Sequence, residues 1–237
     1  MPSFTTLTIC DAGESHTGTQ IIGQKLERGI SYETLRVACR DLNAQSKAKG
    51  QEEVAARLHS IKELSGLTLS DSVPDAHVLV IRDGVNKLTS VKLDDFKREL
   101  SEKQADTNYF AYGEVRNKHA RHSFMFGIRA QTANYQEKKG AVYAWDGNPA
   151  VDALRRSASV WLNLDDPLPV GEVNHYVDVS KCDIDWHGDG ERRVVVGARV
   201  GASEGAPLMF HCHDNGRPVG ETVKLDLADG DVYMMSE

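Results

Sequence analysis

The sequence predicts an α+β chain, with a small α/β unit over residues 1–104 followed by a mainly β domain over residues 105–237. Three observations lead there. The first hundred residues alternate strand-like runs with runs of helical period. The remainder is a series of short β-favouring runs punctuated by Asn, Asp, Gly and Pro, the pattern of a sandwich or barrel. At 237 residues and 40% hydrophobic content, with no repeat or low-complexity tract, the chain can bury one large core or two small ones.

In order, "FTTLTIC" reads as a strand and "DAGESHTGTQ" as a turn-rich connection. "IIGQKLERG" reads as a short helix ended by Gly29. Ser31 can cap a longer helix in which Leu35, Ala38, Cys39 and Leu42 form one stripe. "QEEVAARLHSIKEL" repeats that spacing with Val54, Leu58, Ile61 and Leu64 and predicts another helix. "HVLVIRDGV" predicts a buried strand and "LDDFKREL" a helix. Beyond residue 104, "HSFMFG", "GAVYAW", "NHYVDV", "RRVVVGARVG", "APLMFHCH", "TVKLDL" and "DVYMM" predict strands. One helix, "AVDALRRSASVW", interrupts them, with Asn148 as cap and Pro149 at its first position.

The net charge of −7 gives no global basic field to attract nucleic acid, although a local groove can still be basic. The four cysteines (Cys10, Cys39, Cys182, Cys212) lie far apart without a C-x-x-C pair, which points to reduced thiols in an intracellular, cytoplasmic or nuclear protein. No basic start with an apolar stretch marks a signal peptide, and no run approaches the ~18 apolar residues of a membrane span. "DAGESHTGTQIIG" lacks the spacing and lysine of a phosphate loop and reads as a plain connection.

Chemistry concentrates in "DIDWHGDGERR", residues 183–193. If residues 184–189 run as a strand, His187 and Asp189 project from one face, because side chains alternate with period two. One imidazole and one carboxylate are two-thirds of a 2-His-1-carboxylate site for Fe(II). Upstream, "EVNHYVDV" places Asn174 and Tyr176 on one face of a neighbouring strand. Downstream come the apolar run "RRVVVGARVG" and then Gly230, Asp231 and "VYMM". Arg192 and Arg193 read as exposed charges at a strand start, Asp183 and Asp185 as turn residues, and Trp145 and Trp186 as core aromatics.

This order of N-x-Y, H-x-D-x-E, apolar strand and G-D resembles the AlkB-like branch of the Fe(II)/2-oxoglutarate-dependent dioxygenases over roughly residues 105–237, in a divergent form. The resemblance implies a double-stranded β-helix (jelly-roll) domain, with Fe(II) and 2-oxoglutarate as cofactors. It implies His187 and Asp189 as iron ligands, Asn174 and Tyr176 as hydrogen-bonding partners of 2-oxoglutarate, and Glu191 facing the substrate. The implied reaction is hydroxylation, with demethylation as one outcome, of a nucleobase or a protein side chain. The locally basic "VRNKHARH" offers Arg116, Lys118 and Arg121 to a phosphate or anionic substrate, with a solvated face as the alternative.

The family pattern also needs a second histidine and a carboxylate-clamping arginine after the G-D strand, whereas the sequence ends "GDVYMMSE". The expectation is therefore a fragment truncated at its C-terminus, marginally soluble, with an apolar edge left around "VYMM". The alternatives are a third ligand from His211 or His213 in "MFHCHD", or a non-catalytic jelly-roll binding module or inactive remnant that keeps H-x-D by descent.

Overall fold

The computed structural model describes residues 3–14, 20–51, 54–68, 72–181, 184–201 and 206–237. Its strands and helices follow in order as β1 (Phe4–Cys10), β2 (Ala12–Glu14), β3 (Ile21–Gly23), α1 (Tyr32–Ala48), β4 (Ala56–Ser60), α2 (Ile61–Leu64), β5 (His77–Ile81), α3 (Gly84–Leu88) and α4 (Leu93–Ser101). They continue as β6 (Asn108–Ala111), β7 (Glu114–Asn117), β8 (Arg121–Gly127), β9 (Val142–Ala144), α5 (Pro149–Trp161), β10 (Val170–Tyr176), β11 (Val195–Gly201), β12 (Leu208–Asp214), β13 (Arg217–Leu225) and β14 (Val232–Met235).

This is a mixed α and β fold dominated by one eight-stranded sheet in the order β4-β5-β14-β11-β1-β10-β8-β9. All neighbours are antiparallel except β9, which runs parallel to β8. Strands from before and after residue 104 are interleaved in it: β1 lies between β10 and β11, and β5 pairs with β14. β12–β13, β2–β3 and β6–β7 form two-stranded ribbons.

Period-two alternation sorts the sheet into two faces. Leu7 and Ile9 on β1, Val173 on β10, Phe124 and Phe126 on β8, and Val196, Ala198 and Val200 on β11 share one face through their pairing register. There they join the core formed with Leu35, Ala38 and Leu42 of α1, Phe96 and Leu100 of α4, and Val151, Leu154 and Ala158 of α5. Burial of these side chains supplies the main drive to fold. α1 begins where Ser31 accepts a hydrogen bond from the Thr34 amide, as its sequence position predicts. On the opposite face, the β12–β13 ribbon packs Val223 and Leu225 against Val78, Val80 and Tyr233. Cys10, Met125, Val142 and Val170 form a small cluster with Ile22 of β3.

Several expectations are corrected. Residues 56–60 of "QEEVAARLHSIKEL" form β4, paired along its length with β5, and only Ile61–Leu64 turn into helix. The spacing of Leu58, Ile61 and Leu64 matches a helix locally, but the β5 edge supplies backbone partners that an isolated segment lacks. Ile21–Gly23 of "IIGQKLERG" is a strand paired with β2 rather than a helix. Pro149 does sit at the start of α5, yet Asn148 makes no side-chain cap. Glu99 of α4 instead accepts from the Ala150 and Val151 amides at 3.0 Å. "VYMM" is not an edge, because β14 is bordered by β5 and β11. Residues 15–19 of the turn-rich connection, with Cys182 and Asp183, lie outside the described residues. Among the described residues no helix is long and apolar enough to cross a membrane.

Candidate functional site

The second face of the sheet changes character between its two apolar ends. The registers Asn174↔Thr6↔Arg199 and Tyr176↔Phe4 place Asn174, Tyr176, Thr6, Phe4 and Arg199 on this face, with Arg121 and Ser123 beside them on β8. Thr6 and Thr8 keep partial solvent access on a strand with four neighbours on one side and three on the other.

Residues 184–194 run as irregular chain, not as the strand expected for 184–189. Contacts fix the segment in place. Lys25 donates to the Gly190 carbonyl at 2.6 Å. The buried Asp11 carboxylate accepts from the amides of Arg193 and Val194 at 3.0 and 2.9 Å and of Leu26 at 2.7 Å. Trp186 stacks on His211 with ring centroids 3.9 Å apart. Trp186 is thus 53% exposed and not a core aromatic.

Despite the missing strand, His187 and Asp189 meet: Nε2 lies 3.6 Å from Oδ1. His187 Nδ1 sits 2.7 Å from the Asp185 carbonyl. A carbonyl only accepts, so Nδ1 carries the proton and donates. In the neutral imidazole, the Nε2 lone pair then faces the Asp189 carboxylate. An imidazole nitrogen and a carboxylate oxygen so placed are a donor pair suited to a metal ion. Nitrogen and oxygen donors held at about 2.1 Å in adjacent coordination positions stand about 3 Å apart, close to the separation here. A backbone acceptor on the other ring nitrogen is the usual outer partner of a metal-bound histidine. A Cβ at Gly188 or Gly190 would meet nothing within 4 Å, so the approach is open.

Behind this pair lies Arg192. It is buried, 8% exposed, where an exposed strand-start charge was expected. Its guanidinium bonds Glu172 Oε2 at 2.7 Å and Glu191 Oε1 through Nε at 2.7 Å, stands 3.6 Å from Asp189 Oδ2, and reaches the Cys10 thiol at 3.6 Å. The reason it turns inward is charge: two glutamates and an aspartate at one corner need a shared counter-ion. Burial disfavours the Arg192 cation, but the carboxylates of Glu172 and Asp189 act against it and its pKa is raised. Burial pushes the Asp189 carboxyl above its ordinary range, against the pull of Arg192. It pushes the Cys10 thiol up as well. Glu191, expected to face a substrate, is bound to Arg192.

Asn174 Nδ2 donates to Glu172 Oε1 at 3.0 Å, which ties the N-x-Y strand to the same corner. Tyr176 stacks on Phe4 with centroids 4.4 Å apart, and burial raises its phenol pKa against the influence of Arg121, to which it is hydrogen-bonded. Arg121 therefore belongs to this face, while Arg116 pairs with Glu114 at 2.7 Å on β7 and Lys118 bonds Ser123. Through Arg192 and Glu172 the His187–Asp189 pair is tied to the face of the sheet that also holds Asn174, Tyr176, Phe4, Arg199 and Arg121. Among the described residues no third His, Cys, Asp or Glu joins His187 and Asp189 in a group of three. His211 is instead held by Trp186 and by Thr222 Oγ1. A groove of about 530 Å³ beside β4, lined by Ser60, Lys62, Asp75 and His77 among others, takes none of these residues.

Over 235 residues the chain is 34% identical to uncharacterized protein R156 of Acanthamoeba polyphaga mimivirus, covering 98% of this chain and 87% of that protein. The chain belongs to the family of that mimivirus protein. No family model matches it, and no solved structure matches it.

Two members of this face escaped the sequence reading. Tyr233 was seen only as part of the apolar run "VYMM". In the fold its ring crosses β11 over Gly197, where a Cβ would collide with the phenol. Its hydroxyl lies within electrostatic reach of Arg199, Tyr176, Asp189 and Arg192, and burial pushes its pKa up to about 12. The signal available was the glycine within "VVVGARV", since a glycine inside an apolar strand marks close approach of another group. Arg199 follows two residues later; alternation puts it on the face opposite Val196, Ala198 and Val200, but its burial depends on β1.

Proposed function

We propose that the chain is an Fe(II)- and 2-oxoglutarate-dependent dioxygenase of the AlkB-like kind. It hydroxylates, with demethylation as one outcome, a nucleobase or a protein side chain. The observation that carries this is the His187–Asp189 pair, with Nδ1 committed to a backbone carbonyl and Nε2 aimed at a carboxylate oxygen 3.6 Å away. Such a pair fits a divalent metal, and Arg192 ties it to Glu172, which Asn174 bonds on β10. On this proposal the eight-stranded sheet and the β12–β13 ribbon packed on it are the two walls of a double-stranded β-helix. Iron, when bound, supplies the activation of oxygen at the expense of 2-oxoglutarate.

The chain's own residues do the rest. Asp185 holds the His187 tautomer. Arg192 fixes the carboxylate corner and keeps Asp189 from turning to solvent. Asn174 and the protonated Tyr176 present hydrogen-bond donors to a cosubstrate lying along β10.

A second reading is a jelly-roll binding module that keeps the H-x-D pair without catalysis. It is favoured by the way Arg192 already neutralises the acidic corner. The deciding experiment measures 2-oxoglutarate-dependent succinate release with Fe(II) for the wild type and for His187→Ala and Asp189→Ala. Turnover lost in both variants supports the enzyme. Equal turnover in all three removes the pair from the mechanism, and no turnover in any favours the binding module.

A further inference from the structure

Away from the sheet face that holds Asn174 and Tyr176, β12 carries "MFHCHD" in strict alternation. Phe210 and Cys212 turn inward, into the cluster with Val223 and Leu225 of β13. Met209, His211 and His213 therefore project together from the outer side of the ribbon. Met209 is 44% exposed and His213 is exposed, so this side is open to solutes. The two imidazoles are neighbours, with ring centroids 6.3 Å apart. His211 is held from two directions. The Trp186 indole lies nearly flat on it, with 3.9 Å between centroids and 15° between planes, and Nε2 is hydrogen-bonded to Thr222 Oγ1. In the tautomer whose Nε2 donates to Thr222, Nδ1 keeps its lone pair for a ligand. A partner on the other ring nitrogen is the usual outer arrangement of a metal-bound histidine.

The separation of the rings selects among metals. An ion bonded to two imidazole nitrogens at about 2.0 Å lies about 3.2 Å from each ring centre, so the centres stand at most about 6.4 Å apart, with the nitrogens opposed across the ion. The observed 6.3 Å lies just inside that limit. Monovalent copper accepts two nearly opposed nitrogens, whereas Zn(II) asks for four donors in a tetrahedron. The surroundings agree. Among the described residues no Asp, Glu, Cys or third His completes a group of three here. Lys224 of β13 stands opposite Met209, so the donors are neutral and the added charge is positive, which disfavours a hard divalent ion. The Met209 thioether at the rim is itself a soft group. We propose that His211 and His213 form a surface site for a Cu(I) ion, with Trp186 covering the His211 ring. The site shares no donor with the His187–Asp189 pair and does not rest on the dioxygenase reading.

The test is an anaerobic titration of the full chain with Cu(I), kept reduced by ascorbate and competed against bicinchoninate, for the wild type, His211→Ala, His213→Ala and His187→Ala. Zn(II) is titrated in parallel. Accessible thiols are alkylated beforehand, because the four cysteines offer Cu(I) a competing soft donor. One ion should bind per chain, and His211→Ala and His213→Ala should each weaken it about tenfold or more. His187→Ala should leave it unchanged, and Zn(II) should bind at least about tenfold less tightly than Cu(I). Should His211→Ala fail to fold, the exposed His213→Ala decides, together with ring C–H spectra of the wild type, in which the His213 signal should shift on one equivalent of Cu(I). The proposal is overturned if the chelator removes all the copper, if His213→Ala binds as the wild type does, or if Zn(II) binds as tightly as Cu(I). It is equally overturned if the loss appears in His187→Ala, or if the His213 signal stays still.

Discussion

Gly197→Ala should be among the most damaging single-methyl additions in the sheet. The added Cβ would point at the Cζ, Cε1 and hydroxyl of Tyr233, inside van der Waals contact. The phenol is 5% exposed and packed on Val80 and the β12–β13 ribbon, so it has little room to swing aside. Overpacking of this kind costs about 1–3 kcal/mol, and full ejection of the ring would approach the ~3–5 kcal/mol of deleting a buried aromatic. We expect about 2–4 kcal/mol in denaturant unfolding, which for a chain of this length is a fall in Tm of roughly 4–16 °C. The decisive assay is a double-mutant cycle with Tyr233→Ala. With the phenol gone, the clash vanishes, so Gly197→Ala should cost about 1–3 kcal/mol less in that background. An alanine variant within about 0.5 kcal/mol of wild type, or full additivity with Tyr233→Ala, would refute the packing argument.

Three further outcomes follow from the same reasoning. Asp11→Ala removes the acceptor for the Arg193, Val194 and Leu26 amides and should cost about 3–5 kcal/mol, with amide exchange at Val194 strongly accelerated; unchanged exchange would contradict the anchoring role. Glu99→Gln weakens the acceptor capping α5 and should lower stability by about 1–2 kcal/mol, and a neutral result would show that Glu99 is not its effective cap. Lys118, lowered to about 8 by burial, titrates below its unfolded value near 10.4, so its buried charge destabilises the fold at neutral pH. As pH rises from about 8 to about 10 that cost is relieved, and wild type should gain on Lys118→Met by at most about 3 kcal/mol; parallel stability curves would exclude the effect.

Much of the local structure was legible. The cap and stripe of α1, the presence of helices α4 and α5, and the strand runs of β1, β5, β8, β10, β11 and β14 were readable from local pattern, because period tells which side chains share a face. The His187–Asp189 pair was legible as composition, though its geometry was not: the two groups meet across an irregular segment tethered by Asp11 and Lys25, residues more than 160 positions away. β4 carries a helical spacing that the adjoining strand overrides. The insertion of β1 between β10 and β11, the inward turn of Arg192 and the burial of Arg199 all depend on which distant strands pair. The sequence by itself therefore determined most of the long strands and helices, their apolar faces and the chemically rich segment. The tertiary structure decided strand order and the sharing of charge, since a side chain's burial and counter-ions are set by neighbours that no local window contains.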